Sequence, residues 1–235
     1  MRTAALPALI LAAGRGERMR PLTDQTPKPL LQVRGKPLIE WHLQALARDG
    51  VREVVINTAW LEDQFPTALG DGSRWGLRIR YSMEGRDHGG ALETAGGMAK
   101  ALPLLGEAFW VLAGDVFAPD FRFEATAARQ FVEGTDWAHL WMVGNPAHHP
   151  QGDFALSETG RVLLRDAAPA GTPCWTYATV GLVRPDLVAE VAAGQRMALR
   201  PCLERAIAAG RLSGEVYGGA WTDVGTVERL AALNL

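Results

Sequence analysis

The apolar run Leu9-Ile10-Leu11-Ala12-Ala13 is short, continuous and halted by Gly14-Arg15-Gly16, the pattern of a buried strand feeding a tight turn. From Pro37 the period becomes helical: in LIEWHLQALARDG, Ile39, Leu43 and Leu46 share one face and Gly50 ends the run. REVVIN (52–57) predicts a β-branched strand. The alternation continues with a helix near Leu61 to Leu69, a strand in LRIRYS (77–82), a helix after Thr94 and a strand from Phe109 to Gly114. A helix near Phe121 to Val132 and a strand in WAHLWMV (137–143) follow. Strands separated by helices cross over right-handedly, so the expected fold is α/β, a doubly wound, mostly parallel sheet.

Residues 145–180 break this rhythm with NPAHHPQGD, FAL, RVLLRD and CWTYATVGLV, which predict a small antiparallel layer. Helices near Pro185 to Ala193 and Arg200 to Ala209, a strand around Glu215 to Tyr217 and a last helix after Gly225 complete the pattern. With no repeat, low-complexity tract or linker, residues 1–235 read as one domain.

Candidate chemistry gathers at the first turn. Glycine at 14 and 16 leaves backbone amides bare, and Arg15, Arg18 and Lys28 follow with no acidic run beside them, the donor set a polyphosphate requires. Pro27 and Pro29 predict an extended segment that aims Lys28. A dinucleotide fingerprint is excluded by Met19 and Pro21, and a Walker A loop by the spacing of the glycines. Asp115, just past the strand ending at Gly114, faces the same crevice by the switch-point rule. It reads as an Asx turn or as a metal ligand, and Mg²⁺ binds through one or two carboxylates plus phosphate oxygens. Asp223 is the candidate second carboxylate, because Thr226 stands better placed to cap the helix VERLAAL.

Composition narrows the classes. A formal net charge of -2 argues against binding to nucleic acid or an acidic membrane, and 48% apolar residues supply an ample core. The absence of an eighteen-residue apolar run points to the cytoplasm. Cys174 and Cys202 lie far apart and read as buried thiols. The histidines lack metal spacing, with His148 and His149 in a solvated loop, and most tryptophans read as core.

The string L-A-A-G-x-G-x-R-M-x-P-L-T followed by P-K-P resembles the signature of the sugar-1-phosphate nucleotidyltransferases. The resemblance implies a Rossmann-like, GT-A-like fold and transfer of a nucleoside monophosphate from an NTP to a sugar 1-phosphate, with release of pyrophosphate. It implies a nucleotide site from Leu11, Ala12, Ala13, Gly14, Arg15, Gly16 and Lys28, with Glu84 and Leu92 near the base. It also implies Arg18 and Lys28 as catalytic cations and Mg²⁺ on Asp115 and Asp223. Residues 84–97 resemble the base-recognition loop, although Gly85 to Gly90 lengthen it and Ala95 replaces a glycine.

Within the family, GERMRPLT, TPKPLLQV and the compact length are most similar to bacterial uridylyltransferases acting on N-acetylmuramate 1-phosphate in cell-wall recycling. That implies UTP as donor and a sugar contact at Asp153, which otherwise reads as a plain turn Asp, while Ala113 stands where such relatives carry Asn and removes a substrate hydrogen bond. The alternatives are a glucose or mannose 1-phosphate transferase using dTTP, UTP or GTP, and a catalytically inactive nucleotide-sensing domain. A panel of sugar phosphates and NTPs separates the first, and nucleotide binding without magnesium-dependent turnover marks the second. Partners are then small molecules, for a monomer or small homo-oligomer.

Overall fold

The computed structural model describes residues 5–235. Along them the strands are β1 (Ala8–Leu11), β2 (Gln32–Val33), β3 (Lys36–Pro37), β4 (Glu53–Thr58), β5 (Arg78–Met83), β6 (Phe109–Ala113), β7 (Val116–Phe117), β8 (Ala138–Val143), β9 (Phe154–Leu156), β10 (Val162–Leu163), β11 (Cys174–Val183), β12 (Leu212–Val216) and β13 (Thr222–Asp223). The helices are α1 (Leu22–Gln25), α2 (Leu38–Arg48), α3 (Gln64–Leu69), α4 (Glu84–His88), α5 (Glu93–Ala101), α6 (Ala125–Glu133), α7 (Arg200–Ala208) and α8 (Val227–Leu233).

β1 is the axis of the sheet. It pairs in parallel with β4 on one side and β6 on the other, and β5 extends the sheet beyond β4. β11 then runs antiparallel between β6 and β8, and β12 returns parallel to β8. Alternation along β1 sends Ala8 and Ile10 to one core and Leu9 to another. The first is covered by Ile39, Leu43 and Leu46 of α2 and by Ala128 and Phe131 of α6. Ala95 and Met98 of α5 and Leu203 and Ala206 of α7 cover the second. Helices on both faces bury the central strands except at their carboxyl ends, where Leu11 and Ala113 are half-buried, which is why ALIL carries no polar position.

Aromatic residues fill the first core: Trp110 meets Phe123 edge-on at 5.2 Å and Phe121 meets Trp141 edge-on at 5.4 Å, the arrangement ring quadrupoles favour. A third, smaller core of Met19, Val33, Leu38, Phe117, Val224 and Leu230 fastens the segment after the first turn to the C-terminal helix.

The small antiparallel layer expected over 145–180 is present and continuous with the main sheet, because β11 pairs β9 at Cys174 and Trp175 and joins the β9–β10 hairpin to it. Other expectations need correction. The helix expected near Phe121 starts at Ala125, since Phe121 and Phe123 are drawn into the core. Only a short 3₁₀ turn, Pro185–Val188, forms where a helix to Ala193 was expected. Lys28 opens a 3₁₀ turn, Lys28–Leu30, rather than lying in an extended segment, because Pro29 fixes a helical φ at the second position. The lengthened segment after Glu84 is helical as far as His88, in α4, and only 89–92 stay outside helix.

Candidate active site

Above the carboxyl ends of β1, β4 and β6 opens a cleft of about 650 Å³, within the usual range for small-molecule sites. Leu11, Ala12, Ala13, Gly14, Arg15, Gly16, Lys28, Ala113, Asp115 and Asp153 line it, so most of the residues singled out from the sequence stand around one space. Arg18, Glu84, Leu92 and Asp223 lie outside that lining.

The turn after β1 is fixed by Gly16, whose φ of 68° is left-handed; a Cβ there would meet Thr23 Cγ2 at 2.9 Å. Thr23 Oγ1 donates to the Gly16 carbonyl at 2.8 Å and closes the turn. No acidic run stands beside Arg15, but one acid pairs with it. Arg15 donates to Asp24 at 3.1 Å and lies 3.4 Å from the Trp60 ring centroid, held on the wall by stacking and charge together.

Behind this turn runs a buried polar strap. Ala12 N donates to Asn57 Oδ1 at 2.7 Å, Asn57 Nδ2 donates to Glu84 Oε1 at 2.7 Å, and Leu92 N donates to Glu84 Oε2 at 2.7 Å. Glu84 is fully buried, and that burial pushes its carboxyl above the usual range while the bonds from Leu92 and Asn57 pull it back. Glu84 and Leu92 therefore do not face the cleft but brace its wall, and Asn57, which the sequence reading missed, reaches it together with Ala12. Gly97 makes room for the strap: a Cβ there would stand 2.5 Å from both Asn57 Nδ2 and Glu84 Oε1.

On the opposite side Lys28, nearly enclosed, places Nζ 2.5 Å from Asp115 Oδ2. Beneath Asp115 sits His42 of α2, fully buried. Burial depresses its imidazole to about 4, only partly offset by the backbone of Val116 and Ala113 and the charge of Asp115, and Nε2 makes no hydrogen bond of good geometry.

Asp223 reaches the same region through the backbone. β13 pairs antiparallel with β7, and Val224 N donates to the Asp115 carbonyl at 2.9 Å. Its carboxylate is engaged by Arg229 Nη1 at 2.6 and 2.5 Å and by His148 Nε2 at 3.1 Å. Thr226 caps α8, accepting from Arg229 N at 3.3 Å, so Asp223 is not the cap. Arg18 extends to the same corner, 3.2 Å from the position a Gly225 Cβ would take. The His148–His149 loop is exposed as expected, yet both rings are engaged, since His149 Nε2 lies 3.1 Å from Asp153 Oδ1.

Of the far wall, only Asp153 was singled out from the sequence. Asp153 accepts from Tyr177 N at 2.8 Å, and Phe154, Tyr177, Thr179, Leu199, Arg200 and Leu203 continue from it. Thr179 has φ 56° at a register shift in β11, and Glu93 has φ 60°; both line the cleft. A left-handed β-branched residue is a strained one, and such strain gathers at binding sites.

The donor chemistry fits a hard divalent ion. Asp115, in the turn before β7, and Asp223, on the strand paired with β7, offer carboxylate oxygens, each now balanced by a cation, Lys28 or Arg229. Among the described residues no three His, Cys, Asp or Glu gather as a metal-holding group, so such an ion would complete its shell from phosphate or water, as Mg²⁺ does.

The chain is 50% identical over 225 residues to N-acetylmuramate alpha-1-phosphate uridylyltransferase of Neisseria meningitidis serogroup B, covering 95% of this chain and 94% of that one. Its identity to the Caulobacter vibrioides protein of the same name is 33%, covering 96% and 94%. A Bacillus anthracis protein crystallised with a sucrose superposes with a TM-score of 0.80 at 20% identity, covering 98% of this chain and 94% of that one, a likeness of fold. Residues 7–163 match the nucleotidyl transferase family model, and the chain is a member of that family of enzymes.

Proposed function

We propose that this nucleotidyltransferase uses UTP and Mg²⁺ to uridylylate N-acetylmuramate α-1-phosphate, releasing pyrophosphate, in the cytoplasmic recycling of cell-wall sugars. The observation that carries the reading is the 50% identity, spread over nearly the full length of both chains, to a relative with that name.

The acceptor is already an anion, so the chemistry needs no general base. An acceptor phosphate oxygen attacks the α-phosphorus, the bond to the bridging β-oxygen breaks, and the electron pair leaves with pyrophosphate. The obstacle is repulsion between two multiply charged phosphates, and it is met by cations fixed before the reactants arrive. Lys28, held by its 3₁₀ turn and surrounded by protein, is assigned to the charge that develops between donor and acceptor. The amides of Gly14 to Gly16 and Arg18 take the β- and γ-phosphates. Asp115 and Asp223 would hold the Mg²⁺, which when bound would neutralise charge on the α-phosphate.

Pyrophosphate release measured over a panel of NTPs and sugar 1-phosphates tests the proposal. UTP with N-acetylmuramate 1-phosphate should give the highest kcat/KM by at least tenfold, and faster turnover of glucose or mannose 1-phosphate would overturn it.

A further inference from the structure

The cleft divides along the sheet. The turn after β1, Asn57 of β4 and the start of α5 line one half, and residues of β9 and β11 line the other. β6, with Asp115 at its exit, lies between them. On the function proposed above, the first half takes the nucleotide's tail, which leaves the acceptor sugar to the second.

We propose that Arg200 selects the acceptor by pairing with a carboxylate carried by the sugar itself. The inference rests on the acceptor reading above, because N-acetylmuramate differs from N-acetylglucosamine by a lactyl ether that ends in a carboxylate. Arg200 is the first residue of α7 and lines the acceptor half, with Cζ 4.6 Å from the centroid of the Phe154 ring. A guanidinium stacked on an aromatic ring is pre-oriented, and its fork matches a carboxylate in a way an ammonium does not.

Its present partner is Glu204, one turn along the helix at 2.7 Å. About half of each side chain in that pair is exposed, and exposed pairs contribute little, so a substrate carboxylate can replace Glu204 at small cost. The neighbouring acid does not repel such a group freely, because Asp153 is bound to Tyr177 N and His149. The other arginine on this wall, Arg196, pairs with Glu93 at the start of α5, on the nucleotide half.

The test is kcat/KM for N-acetylmuramate 1-phosphate and N-acetylglucosamine 1-phosphate in the wild type, Arg200→Met, Arg200→Lys and Arg196→Met. Where turnover of the second sugar is too slow to follow, its binding is read by competition. Arg200→Met should lower kcat/KM for the muramate substrate about ten- to a hundredfold, chiefly through KM, the worth of a charge-assisted hydrogen bond. The preference between the two sugars should collapse by a similar factor, and Arg200→Lys should restore part of it. Arg196→Met should leave the preference in place. Equal losses with both sugars in Arg200→Met would overturn the role of Arg200 while leaving the acceptor reading intact. A wild type without preference for the muramate sugar would instead overturn the acceptor reading itself.

Discussion

Lys28 and Asp115, eighty-seven positions apart, meet at 2.5 Å on the floor of the cleft, one from the segment after β1 and the other from the exit of β6. A cation and a carboxylate so placed form a unit that can divide when an ion and a phosphate arrive, the lysine going to the phosphate and the acid to the ion. Lys28→Ala or Asp115→Asn should each lower turnover about a hundred- to a thousandfold, the usual loss on deleting a preorganised electrostatic group. Pyrophosphate release with the melting curve alongside is the check. Near-normal turnover in a folded variant would remove the pair from the chemistry.

Arg229 competes for Asp223. If its bonds to both carboxylate oxygens must loosen before an ion is shared with Asp115, Arg229→Met should reach half-maximal turnover at several-fold lower Mg²⁺ than the wild type. A rise in the Mg²⁺ requirement would show that the arginine orients Asp223 instead.

His42 sets an acid limit on stability. Its folded value of about 4 lies below the ordinary 6.5, so between those values the unfolded chain binds a proton that the folded one refuses. The associated stability is fully present above pH 6.5 and is lost as pH falls toward 4, by about 3 kcal/mol at 1.4 kcal/mol per unit. Denaturant melts from pH 7 to 4.5 should show this slope, and His42→Phe, if folded, should flatten it.

The strap behind the first turn depends on the missing side chain at residue 97. Gly97→Ala would push a methyl against Asn57 and Glu84 and should cost about 1–3 kcal/mol, the range for overpacking. That corresponds to a melting temperature lower by roughly 2–12 °C for a chain of this size. An unchanged melting temperature would show that the strap yields.

Thr179 carries the opposite expectation. Relief of its left-handed backbone, offset by the entropy of glycine, should make Thr179→Gly more stable by about 1 kcal/mol. If the strain is kept for binding, KM for the acceptor should rise in the same variant. A less stable protein with unaltered KM would assign Thr179 to packing alone.

What the sequence made legible was local. Leu9 to Gly16 announced a strand and turn by composition alone, Asp115 was marked by its place after an apolar strand, and Thr226 by its place before a helical run. What stayed hidden was made by distant pairing. Asn57 reads as the last letter of a strand, and only the fold sets it between Ala12 and Glu84. His148 reads as loop until Asp223 is brought beside it, and Arg200 reads as an ordinary first helical turn until β9 places Phe154 under it. The error over the segment after Glu84 had a physical source as well: its glycines suggested a loop, but five residues with Glu84 anchored below close one helical turn before Gly89.

β11 pairs with β9 at one end, with β6 at the other, and with β8 along its length. A single deleted or inserted position within 174–183 would turn Tyr177 and Thr179 to the opposite side of the pleat and unseat the hairpin bearing Asp153 at the same stroke. Diversification toward other sugars is thereby steered to side chains standing at the cleft's margin, such as those on α7, which can be exchanged one at a time without touching the scaffold's spacing.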